Sequence, residues 1–455
     1  MLTVILAALT ITVGDGLPIK APADVGMSAQ RLRVIDRVVT RGITAGGYPG
    51  AAVIVGRDGA AVMEKGFGHV DWSRASARVS PTQTIYDLAS LTKVIGTTTA
   101  IMVLYDQGRI KLDDRVVQYL PEFTGGDKDS VTIRQLLEHR SGLPADRDLW
   151  RLAQTPEEAR QIVLTTPLDA KPGARYVYSD LGAITLGFIV EQVSGEGLDK
   201  FLHDWVFEPL GMTNTFFRPA DSLKSRIAPT EITSARGYPL RGEVNDENAW
   251  ALGGVAGHAG LFSTAADLSV FAEMMLNGGE YNGIRIVSDS TVKLFTTRAA
   301  GSRALGWAMA DGQWGSGRFL SDDAYGHVGY TGTSLWIDPD RHMFVLLLTN
   351  RVYAPKARRP ATVIADVRAD LSDAASLAVT DDPDQIIAMP ASFRADRAVN
   401  WNPRRRVHHT SRRSHHAVKH TVHKSTTHKS TTKKATAKRT STGTARHSSA
   451  AKKKP

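Results

Sequence analysis

Strand-forming segments stand near both ends of the chain's ordered part, with a long helical block between them. Near the start, "GAAVIVGRDGAAVMEKGFG" reads as two strands joined at Asp58 and Gly59, a dipeptide suited to a tight hairpin turn. Strand signals return late, in "RALGWAMA" and in "TSLWIDPDRHMFVLLLTN", where a Pro-Asp turn divides two runs of strand formers. The block between them carries helical patterns over Lys93 to Gln107, Thr132 to His139 after Ser130, Ser179 to Val193, and Thr264 to Leu276. Two more helices flank the strands. One follows Ser28 as N-cap, with Leu32, Ile35, Val38 and Val39 on one face, and "PATVIADVRADL" forms the other. This arrangement predicts an α+β fold: one sheet assembled from both ends of the chain, and a helical lobe inserted into it. A catalytic cleft belongs between the two lobes.

With 455 residues, 42% of them hydrophobic, the chain can bury a large core. Its formal charge of +10 is a property of one segment, because Trp401 to Pro455 holds 16 Lys and Arg and no Asp or Glu. The remainder has 40 basic against 46 acidic residues. We therefore divide the chain into a candidate export signal (1–16), a two-lobed domain (17–375), a linker (376–400) and a basic tail (401–455) expected to be disordered. The tail suits an anionic polymer, such as the phosphate polymers of a cell envelope or nucleic acid, with binding that weakens as salt rises. Apart from Trp401 it has no aromatic stacking groups, so sequence-specific nucleic-acid recognition is not expected. "MLTVILAALTITVG" has the length and polarity of an export signal, although it lacks a basic start and a clear cleavage site. A buried N-terminal strand is the other reading. The export reading implies a periplasmic or secreted protein. There is no cysteine, which excludes disulfides and thiolate metal sites.

The chemistry starts at "DLASLTKVIGTT", where Ser90 stands three residues before Lys93 at the start of a helical run. Positions i and i+3 share a helix face, so the hydroxyl and the amine can meet. A lysine withdrawn from water can remain neutral and accept the serine proton. The spacing alone is weak, since Ser290/Lys293, Ser430/Lys433 and Ser449/Lys452 share it. A nucleophile also needs a second acid/base and an anion-binding group. "PGARYVYSDLG" supplies Tyr178 at a helix entrance, and "YGHVGYTGTSLWIDP" supplies His327 and two glycines ahead of a strand. His139 and His258 are read as structural. No metal-ligand spacing or cofactor motif is found, and the low complexity of the tail argues against a defined site at its histidines.

Those stretches, with "LLEHRSGLP", "PLGMTNT" and "GGVAGHAGLFSTAADL", resemble the serine β-lactamase and penicillin-binding protein superfamily over roughly Leu17 to Ser372. The likeness is to its class C β-lactamase-like branch of D-alanyl-D-alanine carboxypeptidases and esterases, and above all to penicillin-binding protein 4B-type members. It implies an acyl-enzyme-forming hydrolase of D-alanyl peptides from peptidoglycan, or of small esters. Ser90 would be the nucleophile, Lys93 its proton partner and Tyr178 the group that shuttles protons to the leaving group and from water. The backbone N–H groups of Ser90 and Tyr330 would form the oxyanion hole, with Asp180, His327 and Gly329 binding substrate. Two departures are visible. Asp180 stands where the family has Asn, and Val328 replaces a small hydroxyl residue. A charged Asp180 would keep Lys93 protonated and repel an anionic substrate, which predicts weak or absent β-lactam turnover. A non-catalytic envelope-binding protein that keeps the fold is the alternative.

Overall fold

A computed structural model describes residues 16–355, 357–381 and 386–401. The apolar N-terminal run and the basic tail beyond Trp401 fall outside them, so the expectations for export and disorder are not addressed by it.

Strands from early and late in the described residues meet in one six-stranded antiparallel sheet. Its strands are β1 (Gly50–Arg57), β2 (Ala60–Gly68), β3 (Ala308–Met309), β4 (Tyr325–Val328), β5 (Ser334–Asp338) and β6 (Met343–Thr349), in the order β2-β1-β6-β5-β4-β3. The expected hairpin forms at Asp58 and Gly59, whose φ angles of +48° and +75° are those of a turn with two left-handed central residues. β1 and β6 pair in register from Ala51 opposite Thr349 to Arg57 opposite Met343. The "RALGWAMA" stretch yields only the two-residue edge strand β3.

Alternation along the strands divides the core between the two faces of this sheet. Ala52 and Ile54 of β1, with Phe344, Leu346 and Leu348 of β6, join the core shared with the helical lobe. Ala51, Val53 and Val55, with Met343, Val345 and Leu347, face the other way against helices Val34–Thr44 and Pro360–Ser376. Burial on both faces accounts for the unbroken apolar run of β6.

The Ser28 cap forms as expected, and Ser179 and Thr264, read as first helical residues, prove to be caps. The Ser28 hydroxyl accepts from the Arg31 N–H, Ser179 from Gly182 and Thr264 from Asp267. The first helix is broken at Arg33 into Ala29–Leu32 and Val34–Thr44. Thr132, not Ser130, caps Ile133–Leu137, because Gln135 completes a reciprocal capping box with Thr132.

The assignment of 376–400 as a linker is corrected. Phe393, Ala395 and Trp401 are buried, and the Trp401 indole N–H donates to Asp366 at 2.6 Å. Arg394 pairs with Asp370 and Asp373 at 3.0 and 2.7 Å. This segment therefore closes the outer core, a role its polar composition conceals. Among the described residues no helix is long and apolar enough to cross a membrane.

Candidate active site

Ser90 follows a short strand, Tyr86–Asp87, that pairs with Leu261–Ser263 inside the helical lobe. The connection is tightly held. Ala89, at φ +47°, adopts a left-handed conformation that costs a non-glycine residue about 1 kcal/mol or more. The buried Asp87 carboxylate secures it by accepting from the N–H groups of Ala89 and Asn245 at 2.8 and 2.6 Å. Burial pushes the Asp87 carboxyl up to about 6, against these two hydrogen bonds. From the connection between β4 and β5, the Thr331 and Thr333 hydroxyls donate to the carbonyls of Asp87 and Leu88 at 2.7 and 2.9 Å. Gly329 makes this approach possible, since a Cβ there would lie 2.3 Å from the Leu88 carbonyl.

Ser90 sits in a 3-10 turn, Ala89–Leu91, which leads into a π-helical turn, Lys93–Thr98, before the α-helix Thr99–Asp106 begins. Sequence periodicity predicted one helix from Lys93, so the widened turn is a finding of the structure; such turns recur at functional sites. The i, i+3 reading nevertheless holds, as Lys93 Nζ donates to Ser90 Oγ at 2.9 Å.

Lys93 is only 4% exposed, and its ammonium is surrounded by partners. It pairs with Asp180 at 2.8 Å, donates to the His258 carbonyl at 3.2 Å and lies 4.9 Å from the Tyr178 ring centroid. Burial disfavours its charge, but the Asp180 carboxylate, with Tyr178, outweighs burial and holds its pKa above the ordinary lysine value. The resting lysine is therefore a cation and a donor to Ser90. The neutral-lysine expectation is corrected, while the expected effect of Asp180 is seen.

Tyr178 stands just before Ser179, the cap of helix Asp180–Ser194, and packs between two histidines. Its ring centroid is 4.7 Å from that of His139 and 5.9 Å from that of His327. His139 Nδ1 accepts from the Ser179 N–H at 3.1 Å, which fixes the approach to the helix. Burial, then the nearby charges of Arg303 and Lys93, push both histidines well below the ordinary histidine range, so both are neutral. His327, expected as an anion-binding group, lies in β4 and lines the cleft, with its Nδ1 2.9 Å from the Val328 carbonyl oxygen.

Ser90, Tyr178, Asp180, His327, Gly329 and Tyr330 all line one cleft of about 400 Å³. The Ser90 N–H lies at the start of a helical turn, where N–H groups have no intrahelical acceptor. The Tyr330 carbonyl accepts from Arg351 Nε at 2.6 Å, which orients that peptide segment. The same cleft is lined by groups that sequence reasoning missed: Arg303, Arg351, Arg368 and Asp246. Asp246 pairs with His258 at 2.9 Å. Burial opposes charge on both, yet their attraction holds the Asp246 carboxyl below the usual range and His258 above its own. No local motif marks these residues; only folding brings them to Ser90. Among the described residues the one grouping of potential metal ligands is His203, Asp204 and Glu208, which is exposed and lines no part of the cleft.

A hydroxyl bonded to a buried ammonium, at the foot of a cleft between a sheet edge and a helical lobe, is the arrangement of a serine hydrolase. The family model described as Beta-lactamase matches residues 35–369, and the chain belongs to this β-lactamase and transpeptidase-like family of serine hydrolases. It is 34% identical over 376 residues to a protein of Escherichia coli (strain K12) described as "Putative D-alanyl-D-alanine carboxypeptidase", covering 74% of this chain and 86% of that one. A protein of the same description from Salmonella agona (strain SL483) is 35% identical over 374 residues, with the same coverage. Among solved structures, EstCE1, "a hydrolase with promiscuous acyltransferase activity", superposes with a TM-score of 0.60 at 26% identity, covering 74% of this chain and 98% of its own. A penicillin-binding protein homologue from Caulobacter crescentus has the same fold, with a TM-score of 0.60 at 21% identity over 77% of this chain and 99% of that one.

Proposed function

We propose that this hydrolase forms an acyl-enzyme on Ser90 and acts on D-alanyl peptides of peptidoglycan or on small esters, with weak or absent β-lactam turnover. The observation that carries this reading is the 2.9 Å hydrogen bond between Lys93 and Ser90, made in a cleft that also holds Tyr178.

Ser90 Oγ adds to the substrate carbonyl carbon while its proton passes to the Tyr178 oxygen, and the Tyr178 proton passes to the departing nitrogen or oxygen. The oxyanion that forms accepts from the N–H groups of Ser90 and Tyr330, and it collapses to the acyl carbonyl as the bond to the leaving group breaks. Hydrolysis reverses the relay: the water oxygen adds to the acyl carbon as a water proton moves to Tyr178, and the Tyr178 proton passes to Ser90 Oγ as its bond to that carbon breaks. The Lys93 cation, next to Ser90 Oγ, stabilises the negative charge that develops there. The carboxylate at Asp180, where an amide is usual, disfavours the carboxylate of a β-lactam, so nitrocefin is expected to be hydrolysed slowly or not at all. Rapid turnover of nitrocefin by the purified enzyme would contradict this.

The test of the acyl-enzyme is intact mass after incubation with p-nitrophenyl acetate and, separately, a fluorescent penicillin. A covalent adduct or burst in the wild type that vanishes in Ser90→Ala supports the reading; wild type labelled by neither reagent removes it. Resemblance to carboxypeptidases also favours a periplasmic or secreted location, with the basic tail tethering the enzyme to an anionic envelope polymer. Tail-deleted protein should then sediment less with cell walls at low salt than the full chain.

A further inference from the structure

Between β4 and β5 the chain turns through Gly329 to Thr333, and Tyr330 stands in that turn. Two backbone hydrogen bonds close it, from the Gly329 N–H to the Thr333 carbonyl at 2.8 Å and from the Gly332 N–H to the Gly329 carbonyl at 3.1 Å. The Tyr330 N–H donates to no backbone carbonyl among the described residues. An open N–H at a cleft wall suits an oxyanion, provided that its peptide is held in place beforehand.

Arg368 supplies such a hold from outside the turn. It belongs to helix Pro360–Ser376, which packs on the sheet face away from the helical lobe, yet it lines the cleft. Its Nη2 donates to the carbonyls of Gly329 and Thr333 at 2.6 and 2.7 Å. Gly315, at φ +86°, closes over its stem, where a Cβ would lie 2.6 Å from Arg368 Cβ. Arg368 is 8% exposed, its Nε has no hydrogen-bond partner, and among the described residues no carboxylate pairs with it. Taking a guanidinium out of water without a counter-ion is costly. The other cleft arginines are engaged elsewhere. Arg351 Nε donates to the carbonyl of Tyr330 itself, and the guanidinium carbon of Arg303 lies 5.4, 5.5 and 5.9 Å from the ring centroids of Tyr176, Tyr178 and Trp314. Of these arginines, Arg368 is the one bonded to the carbonyl of the peptide unit that contains the Tyr330 N–H.

We infer that Arg368 is a positioning residue for acyl transfer, fixing the plane of the Gly329–Tyr330 peptide and strengthening its N–H as an oxyanion donor. The C=O and N–H of a trans peptide point in opposite directions within one plane. A guanidinium on the Gly329 oxygen therefore sets where the Tyr330 N–H points. It also draws electron density to that oxygen and away from the amide nitrogen, so the N–H donates more strongly. The same turn is bonded to the segment that carries Ser90, through the Thr331 and Thr333 hydroxyls on the carbonyls of Asp87 and Leu88. The inference rests on the acyl-enzyme reading and adds to it a residue that acts through the peptide, not on the substrate.

The test compares wild type, Arg368→Met and Arg368→Lys in single-turnover acylation by p-nitrophenyl acetate. The oxyanion develops only as the ester carbonyl is attacked, so the loss belongs in the acylation rate constant and not in affinity for the ester. Arg368→Met is expected to lower the rate constant roughly 10- to 100-fold, less than outright loss of an oxyanion donor, with affinity kept within about threefold. Arg368→Lys, which keeps the charge without the planar fork, should restore part of the rate. A second readout needs no acylation. With tyrosine amide nitrogens isotopically labelled, the Tyr330 resonance, assigned by its absence in Tyr330→Phe, should shift in Arg368→Met and part of the way in Arg368→Lys. Resonances of tyrosines remote from the turn should stay in place, which separates a released peptide from a general loss of fold. Should wild-type Ser90 prove not to be acylated, the acyl-enzyme reading falls, and the Tyr330 resonance still decides whether Arg368 holds that peptide. Should Arg368→Met not fold, Arg368→Lys is read by the same criteria. An unmoved Tyr330 resonance, an acylation rate constant within about threefold of wild type, or a loss confined to affinity overturns the proposal.

Discussion

Lys93 and Lys128 are both buried lysines, 4% and 3% exposed, and they are held in similar ways. Lys128 Nζ donates to the carbonyls of Leu164 and Thr166 and lies 4.3 Å from the Phe123 ring centroid. Lys93 likewise has a backbone carbonyl and an aromatic ring, but it also has Asp180 at 2.8 Å. Burial pushes Lys128 down to about 8, whereas Asp180 overrides burial at Lys93 and pushes it up. A neighbouring carboxylate thus tightens a buried amine's hold on its proton where burial alone loosens it. At Ser90 it keeps the neighbouring nitrogen a donor.

The contrast is broken most severely at Lys93 itself. Lys93→Ala is expected to slow acylation of Ser90 by p-nitrophenyl acetate by about 100- to 1,000-fold, as loss of one preorganised donor does. Lys128 lines no part of the cleft, so Lys128→Met is expected to stay within about threefold in the same single-turnover assay. Equal losses in the two variants would mean that Lys93 acts only through the fold.

A finer test is Asp180→Asn, which removes the carboxylate and leaves burial unopposed by it. Lys93 should then lose its proton about 1–3 pH units lower than in the wild type. The pH at which the acylation rate changes with it should move down by the same interval. A rate profile identical to that of the wild type would show that Asp180 does not govern the charge at Lys93.

The smallest effect is on stability at Lys128. Its folded value of about 8 lies below the ordinary 10.5, so between these the unfolded chain binds more protons and stability rises with pH. The cost of burying this charge is present in full below about 8 and is relieved by about 10.5. Urea unfolding at pH 7 and pH 10 should show the wild type gaining stability relative to Lys128→Met over that range. A constant difference would place the Lys128 amine in water.

Features set by neighbours in sequence were legible before the structure. The Asp58-Gly59 turn, the cap at Ser28 and strands β1, β2, β5 and β6 follow from local periodicity and turn chemistry, whereas β4, which contains His327, does not. Ser90, Lys93, Tyr178, Asp180, His327, Gly329 and Tyr330 were named from motifs, and all but the buried Lys93 line the cleft. What stayed hidden depends on segments distant in the chain. Arg303 looks like any strand-region arginine until Tyr176, Tyr178 and Trp314 close around it. The burial of His327 near Arg303 is likewise reported by no local pattern. Trp401 looked like the start of a tail because Asp366, its partner, lies in a helix 35 positions earlier.

The pairing of Ala51 with Thr349 also bears on how this domain is made. β1 is synthesised early, but it lies between β2 and β6 in the finished sheet. Until β6 has emerged, one side of β1 has no partner and the core on both faces of the sheet is incomplete. Closing so long a loop is slow relative to local helix formation. The nascent chain therefore remains without its native sheet for most of its synthesis.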